Sequence, residues 1–374
     1  MVGKVVFLDA SSPVLYSAAS LDDRDTKIGG AEITTIRIAA GLAPTHDVIV
    51  GQLTRPASGP LTEDGVRWTS LDQALTTART ADHVVVLRRI EYGVIAKLRG
   101  RAKRVSVWYH DWVPDGSEDA GLVPRTRTRA KNATRALLHL VFGIGIVAVS
   151  ETHATNISTA FQGSLLPKFL TRRLRPEVIY NPISVTAPSP VEPVDVDKLI
   201  YCSAPWKGLG MVLEHFAHVR QQFPTLRLLV ASPGYDRIDG GDMPDGVEYL
   251  GTLNQTELLA HISTSLCVFY PSNKVPETFG IVFLESHAVG TPVLAHRFGS
   301  ALEFLSDEET LDATDGAAVE ERIALWRSGG RPSPRLDDGL RIETVLKRWD
   351  SFISAHRFIS AHRPPTPDTG PVGR

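Results

Sequence analysis

Twice along the 374-residue chain, short β-branched runs alternate with helical patterns, and this alternation limits the fold more than any other feature. The first round reads "KVVFLDA", "AEITTIRIAAGLAP", "HDVIVGQL", "DHVVVLRR", "RVSVWYHD" and "GIVAVS". Strands joined through helices pair in parallel, and a parallel sheet needs helices on both faces. A proline-rich stretch, "NPISVTAPSPVEPVDVDK", interrupts the pattern, which restarts at "KLIYCSAP" and runs through "LRLLVASPG" and "SLCVFYPS" to "PETFGIVFLESHAVGTPVLA". The expected fold is α/β, with two doubly wound Rossmann-like domains facing each other across a cleft lined by strand carboxyl ends. The expected boundaries are 1–185 for the first domain, 186–198 for a linker, 199–340 for the second domain, 341–363 for a closing helix and 364–374 for a disordered tail. "FISAHRFISAHR" before that tail is a six-residue duplication without an assigned meaning.

With 43% hydrophobic and 22% charged residues, the chain has the composition of a globular protein with full cores. Cys202 and Cys267 both fall in apolar strands, which argues against a disulfide framework or a cysteine metal site. Nowhere do 18 apolar residues run together, and "MVGKVVFLDA" starts as a strand without a signal-peptide core, so the expected location is cytoplasmic. Charge is divided unevenly. Up to Ala187 there are 23 Lys and Arg against 17 Asp and Glu; beyond it there are 17 against 25. A basic first half suits an anionic partner, but the basic residues form no nucleic-acid module, and no nucleic acid is expected.

The chemistry concentrates in four places. "PETFGIVFLESHAVGTPVLA" sets Glu277 and Glu285 eight positions apart on either side of a glycine-containing turn. Thr278 is expected to cap a helix starting near Phe279, with Glu277 just ahead of the helix and Glu285 inside it. The free amides of the first turn lie between the carboxylates, and with the helix dipole they favour an anion. A central phosphate with hydroxyl-bearing groups on both sides fits that layout, as in a nucleotide-sugar. In "KIGGAEITTIRIAAGL", Gly29 and Gly30 precede a helix whose amides can approach a phosphate or sugar. "VSVWYHDWVPD" leaves His110 and Asp111 at a strand end, and "YCSAPWKGLGMVLEHF" places Lys207 and Gly208 between strand and helix, where an ammonium can neutralise a diphosphate.

Taken in order, "GGAE", "HDVIV", "HD", "VAVSE", "VIYNPIS", "KGL" and the two-glutamate segment resemble the family-four retaining glycosyltransferases of the GT-B fold, over nearly the whole chain. The resemblance implies a nucleoside-diphosphate-sugar donor, with Glu277 facing the sugar hydroxyls and Glu285 holding the ribose. It implies that Lys207 and the amides from Thr278 and Phe279 through Gly280, Ile281 and Val282 meet the diphosphate. Gly29, Gly30 and His110 would complete the cleft from the other domain. The family's arginine before the lysine has no counterpart in "YCSAP", which leaves Arg297 or another residue to supply that charge; its "GxGP"-like turn reads "ASPGYD" here. No cofactor or metal is expected: the DxD matches at Asp23 to Asp25 and Asp195 to Asp197 lie in loop and linker sequence, and no zinc spacing occurs. The alternatives kept open are a non-catalytic nucleotide-sugar-binding subunit and an epimerase or hydrolase on the same fold.

The acceptor is the least legible partner. Arg125, Arg127, Arg129 and Lys131 lie in one stretch of the first domain, and Lys168, Arg172, Arg173 and Arg175 in another. In the second, Leu165, Leu166, Phe169, Leu170 and Leu174 recur at helical spacing opposite the basic residues, the pattern of a helix lying on an anionic membrane. That pattern predicts a lipid-linked acceptor and peripheral contact with the inner face of the membrane.

Overall fold

The computed structural model describes residues 3–21, 23, 28–98, 102–117, 122–185, 192–232 and 243–355. The first sheet contains β1 (Gly3–Asp9), β2 (His46–Gln52), β3 (Leu61–Glu63), β4 (Val66–Ser70), β5 (His83–Arg88), β6 (Val105–Tyr109), β7 (Gly145–Ala148) and β8 (Glu177–Val178), in the order β3-β4-β2-β1-β5-β6-β7-β8. Only the β3–β4 pair is antiparallel. The second sheet is wholly parallel, with β9 (Asp195–Cys202), β10 (Arg227–Ala231), β11 (Val247–Gly251), β12 (Ser265–Tyr270), β13 (Val293–His296) and β14 (Thr310–Leu311) in the order β11-β10-β9-β12-β13-β14. Central strands are apolar on both faces because helices cover both: Val5, Val6, Phe7 and Leu8 of β1 are all fully buried. Each sheet reverses its winding once, between β1 and β5 in the first and between β9 and β12 in the second. At such a reversal the flanking loops part and leave a crevice beyond the strand carboxyl ends.

The chain crosses between the sheets twice, side by side. Ile183 donates its amide to the Leu340 carbonyl at 2.8 Å, so the outgoing and returning segments are joined. After the return, the helix Ile342–Ser354 packs on the first sheet, with Trp349 edge-on to Trp108 at 4.6 Å and to Phe7 at 6.1 Å. Arg104 caps its end by donating to the carbonyls of Phe352 and Ile353. The first copy of the duplicated segment contributes Phe352 and Ile353 to this core; the second copy lies outside the described residues.

Two expectations change. Positions 195–198 are strand rather than linker: Asp195 pairs with Arg227 and Asp197 with Arg327, so the acidic residues that read as linker are neutralised at the start of β9. They also lie at the end of that strand away from Cys202, so this DxD match does not face the crevice. Arg24 and Asp25 of the other match are outside the described residues. The expected amphipathic helix around Lys168 is only the single turn Lys168–Thr171. Its apolar residues divide: Leu166 and Leu174 pack on the core, whereas Leu165 and Phe169 are exposed.

Several histidines are buried in the neutral form. His139 has both ring nitrogens engaged, Nδ1 with the Ile144 carbonyl and Nε2 with the Tyr109 hydroxyl, and burial lowers it to about 4. Burial holds His153 at about 4 and His83 at about 3. Their unfolded-state value lies near 6.5, so the unfolded chain binds more protons once the pH falls below that. Stability should therefore be full above about pH 6.5 and fall toward pH 4, at up to about 1.4 kcal/mol per histidine per pH unit. Urea unfolding at pH 7 and pH 5 checks this: a clear loss at pH 5 is expected, and equal midpoints would contradict the buried neutral state.

Candidate active site in the interdomain cleft

The two winding reversals face each other, and between them lies a cavity of about 780 Å³. The first domain lines it through the loop after β1, the Gly29–Gly30 turn, Arg88 at the end of β5 and the His110–Trp112 loop after β6. The second domain contributes Cys202 to Ala204 after β9, Trp206, Lys207 and the segment from Val275 to Val282 after β12. Its volume is within the usual range for a small-molecule site.

From the second domain, the helix Ile281–Ala288 points its N-terminus into the cavity. Its N-cap is Gly280 at φ 72°, ψ 56°, and no side chain bonds to the first turn. Thr278 is therefore not the cap, and the helix begins two residues later than the sequence suggests. The Thr278 hydroxyl instead donates to the His110 carbonyl of the other domain at 2.7 Å. A Cβ at Gly280 would lie 2.6 Å from Phe283 Cδ2, so the position needs glycine for space as well as backbone. First-turn amides without a capping group make an anion site. The Phe279 ring is turned away from it, packed against Tyr180 and Phe304 in an apolar cluster shared by the two domains.

Lys207 Nζ donates to both oxygens of Glu277, at 2.7 and 2.8 Å, and the Tyr270 hydroxyl donates to Oε1 at 3.0 Å. The ammonium and the carboxylate, which the sequence assigned to different parts of a ligand, are thus bound to each other here. Glu285 lies behind the cavity wall. It is buried, its Oε1 accepts from Gln255 Nε2 at 2.6 Å, and Gln255 Oε1 in turn accepts from Arg37 of the first domain at 2.9 Å. Burial raises its pKa, opposed by Arg37 and the Gln255 hydrogen bond. Gly208 is also outside the wall; at φ 117° it caps the helix Leu209–Gln222, packed against Ser272.

From the first domain, the helix Gly30–Leu42 presents its N-terminus to the same cavity. Gly30 approaches the second domain so closely that an added Cβ would lie 2.7 Å from Ile281 Cδ1. Glu32 is buried; it accepts from the Gly29 amide at 3.1 Å and pairs with Arg88. Arg88 has φ 66°, an uncommon backbone state for a residue with a side chain. His110 is buried against Trp108 with ring centroids 4.5 Å apart, and its pKa is held well below the ordinary value by burial, then by Arg88 and His153. It is neutral at physiological pH.

Three wall residues carry buried polar atoms with no partner among the described residues: Arg88 Nε, His110 Nε2 and Asn181 Oδ1. Buried polar groups are ordinarily paired, so these mark positions for ligand atoms. Sequence reasoning missed Glu32, Arg88 and Trp206, although the first two stand in the quoted "GGAE" and "DHVVVLRR" runs. It also named Arg297 as a stand-in charge, but Arg297 pairs with Asp307 in a separate surface pocket with Asp312 and Arg322. Most of the "ASPGYD" turn lies outside the described residues. Among the described residues, no cluster of His, Cys, Asp or Glu could hold a metal ion.

Replacing Gly280 with alanine should strain the left-handed cap and press on Phe283, at a cost of about 1–3 kcal/mol. The same change should weaken binding of an anion such as a diphosphate at the helix terminus by displacing the first-turn amides. Urea unfolding and calorimetric titration with UDP and GDP measure both, and an unaltered titration would remove the helix terminus from the site.

Residues 201–334 match the family model "Glycosyl transferases group 1". The chain is 30% identical over 165 residues to a phosphatidyl-myo-inositol mannosyltransferase of Mycobacterium leprae, covering 42% of this chain and 43% of the relative. It is 34% identical over 139 residues to the enzyme of that name from Propionibacterium freudenreichii, covering 36% and 35%. The matches thus span less than half the length of these curated relatives. Among solved structures, sucrose-phosphate synthase from Thermosynechococcus elongatus superposes with a TM-score of 0.63 at 14% identity, covering 93% of this chain and 98% of the other. A glycosyltransferase from Rickettsia africae gives 0.64 at 12% identity, covering 94% and 98%. Anabaena HepE, solved in complex with UDP, gives 0.59 at 16% identity, covering 93% and 95%. The chain has the GT-B fold, and the family model it matches covers residues 201–334 of its second domain.

Proposed function

We propose that the chain is a retaining glycosyltransferase that moves a sugar from a nucleoside-diphosphate-sugar to an acceptor hydroxyl without a metal ion. The observation that carries this reading is the convergence of two helix N-termini, Lys207, Glu277 and three unpaired buried polar atoms on one cleft. In the reaction, the sugar leaves a diphosphate whose developing charge must be met by preorganised donors. Lys207 and the amides of Ile281 and Val282 fill that role from the second domain. Arg88, reaching in from the first domain, takes the place of the arginine that is missing before Lys207. Glu277 accepts hydrogen bonds from the sugar hydroxyls, and neutral His110 offers Nε2 to the same ring. Glu285 holds the ribose once the Gln255 amide gives way. The acceptor hydroxyl attacks from the face the diphosphate leaves, and its proton passes to the departing phosphate oxygen.

Relatives named for mannosyl transfer to phosphatidyl-myo-inositol make hexosyl donors the first to try. With GDP-mannose, UDP-glucose and UDP-N-acetylglucosamine as a panel, nucleoside diphosphate release should require an added acceptor. Release without one would favour a hydrolase, and donor binding without release would favour a non-catalytic subunit. Glu277→Gln should lower kcat by roughly a hundredfold with a smaller change in donor KM, whereas Glu285→Gln should chiefly raise donor KM. Transfer should persist in EDTA; its loss and recovery with Mg²⁺ or Mn²⁺ would sink the metal-free assignment.

The membrane contact belongs to this proposal as well. The helix Leu122–Phe142 carries Arg125, Arg127, Arg129 and Lys131, all exposed, and Arg129 Nε donates to the Gly163 carbonyl at 2.6 Å, which draws the second basic stretch alongside. There Leu165 and Phe169 are exposed beside Lys168, Arg172 and Arg173. Exposed apolar side chains among cations suit an anionic lipid surface and a lipid-linked acceptor. No helix among the described residues is long and apolar enough to cross a membrane, so the contact would be peripheral. Co-sedimentation with phosphatidylserine-containing vesicles should be strong at low salt and drop severalfold in a variant carrying Phe169→Ser, Arg172→Glu and Arg173→Glu. A protein that stays in the supernatant throughout has a soluble acceptor or needs another partner to reach the membrane.

A further inference from the structure

The two tryptophans that keep accessible surface both line the active-site cleft. Trp68, Trp108, Trp326 and Trp349 are fully buried in the cores, as the size of an indole favours. Trp112 is half-buried and Trp206 is 58% exposed. One comes from each domain, and both line the same cavity. Neither indole N–H has a hydrogen-bond partner among the described residues.

The backbone next to each indole is anchored. The backbone after Trp112 is gripped by Asn156, whose Oδ1 accepts from the Val113 amide at 2.9 Å while its Nδ2 donates to the Val113 carbonyl at 3.0 Å. Asn132 donates to the next carbonyl, that of Pro114, at 2.7 Å. Trp206 stands in the 3₁₀ turn Pro205–Lys207, fixed by the proline at its start and by Gly208 at its end. The Lys207 ammonium lies 5.7 Å from its ring centroid, so a cation–π contact holds the indole beside the Lys207–Glu277 pair. An exposed aromatic ring that is rigidly supported and has a free N–H presents an apolar face to C–H groups and a donor to a hydroxyl.

We propose that Trp112 and Trp206 form the acceptor subsite, and that the acceptor presents a saturated polyhydroxylated six-membered ring, a pyranose or a cyclitol, to the two indoles. Such a ring has C–H bonds on its faces and hydroxyls around its edge, which matches both features. The assignment to acceptor rather than donor rests on the proposed function. There the ribose lies toward Glu285, behind the wall, and the reacting sugar lies at Glu277; Trp206 and Trp112 adjoin Lys207 and His110 at that reacting end. An acceptor ring held there brings a hydroxyl to the transferred carbon.

The test uses the full chain with methyl α-D-mannopyranoside and myo-inositol as separate ring probes, each titrated by ligand-observed saturation-transfer NMR in the presence of saturating GDP or UDP. Wild-type protein should bind at least one of them. Trp206→Ala should weaken that binding at least tenfold and Trp206→Phe less, because phenylalanine keeps the face and loses the N–H. Trp112→Phe serves as the second variant, since the half-buried ring there also supports its loop. Nucleoside diphosphate affinity, measured on the same samples, should stay within twofold of wild type. Failure of both probes to bind wild-type protein overturns the inference, as does unchanged probe binding in both variants. A loss of nucleotide affinity in Trp206→Ala also overturns it, by moving that residue to the donor site. If no nucleoside diphosphate binds wild-type protein, the transferase reading fails, while probe binding lost in the variants would still support a ring-polyol site.

Discussion

Thr278 is held on both sides by the other domain, and the geometry of the cleft follows from that hold. Its hydroxyl donates to the His110 carbonyl at 2.7 Å, and its own carbonyl accepts from the Ser150 hydroxyl at 2.6 Å. Glu277 precedes it and the Gly280 turn follows it, so one pinned residue fixes both the carboxylate and the helix N-terminus relative to the opposite wall. Ser150 is also the N-cap of the helix Glu151–Gln162, and the Glu303 carboxylate of the second domain accepts from the amides of Glu151 and Thr152 at that same terminus. A carboxylate at a helix N-terminus is favoured by the exposed amides and the dipole. The domains are thus joined by directional polar contacts beside the cleft and by the Tyr180, Phe279 and Phe304 rings beneath it.

Holding the walls this closely leaves polar atoms facing an enclosed space. An unpaired buried donor or acceptor costs about 1–3 kcal/mol, and Arg88 Nε, His110 Nε2 and Asn181 Oδ1 each carry such a cost. A ligand that supplies the missing partners recovers it, so binding energy is available in the closed arrangement without new side-chain ordering. The Lys207–Glu277 pair follows the same logic. Each group satisfies the other, and both line the cavity, Lys207 as a donor and Glu277 as an acceptor.

The fold was legible because parallel sheets write themselves as apolar runs: "KVVFLDA", "HVVVL" and "SLCVFY" became central strands, and "IETVLKRWDSFIS" became a helix. Local signals failed where a tertiary partner claimed the same group. Thr278 has the chemistry of an N-cap, but its hydroxyl bonds across the cleft, and glycine took the cap through its backbone. Asp195 and Asp197 read as linker because the arginines that neutralise them come from β10 and from the segment after the helix Gly316–Leu325. Leu165 and Phe169 shared a helical period with Leu166 and Leu174, yet the chain turns after Thr171 and sends the two pairs to different environments. At the site, His110, Lys207, Glu277 and the 278–282 segment line one cavity. Glu285 stands one layer back, because Gln255 and Arg37 lie outside the segment that was read.

Arg88 shows why the remaining part of the site had no sequence signature. As the last residue of a buried strand it looks like a charged side chain reaching solvent at a strand end. Instead its backbone adopts φ 66°, a state that costs a residue with a side chain of the order of 1–2 kcal/mol. The buried carboxylate of Glu32, itself anchored by the Gly29 amide, holds the guanidinium in place. Strain at a strand end is retained when surrounding contacts determine it, and here they aim a fixed cation at the first winding reversal, opposite Lys207 at the second. The two positive groups come from different domains, so their separation is set by the contacts that close the cleft. Charge stabilisation across this site is therefore a property of the domain arrangement, and a motif search confined to the second domain finds only half of it.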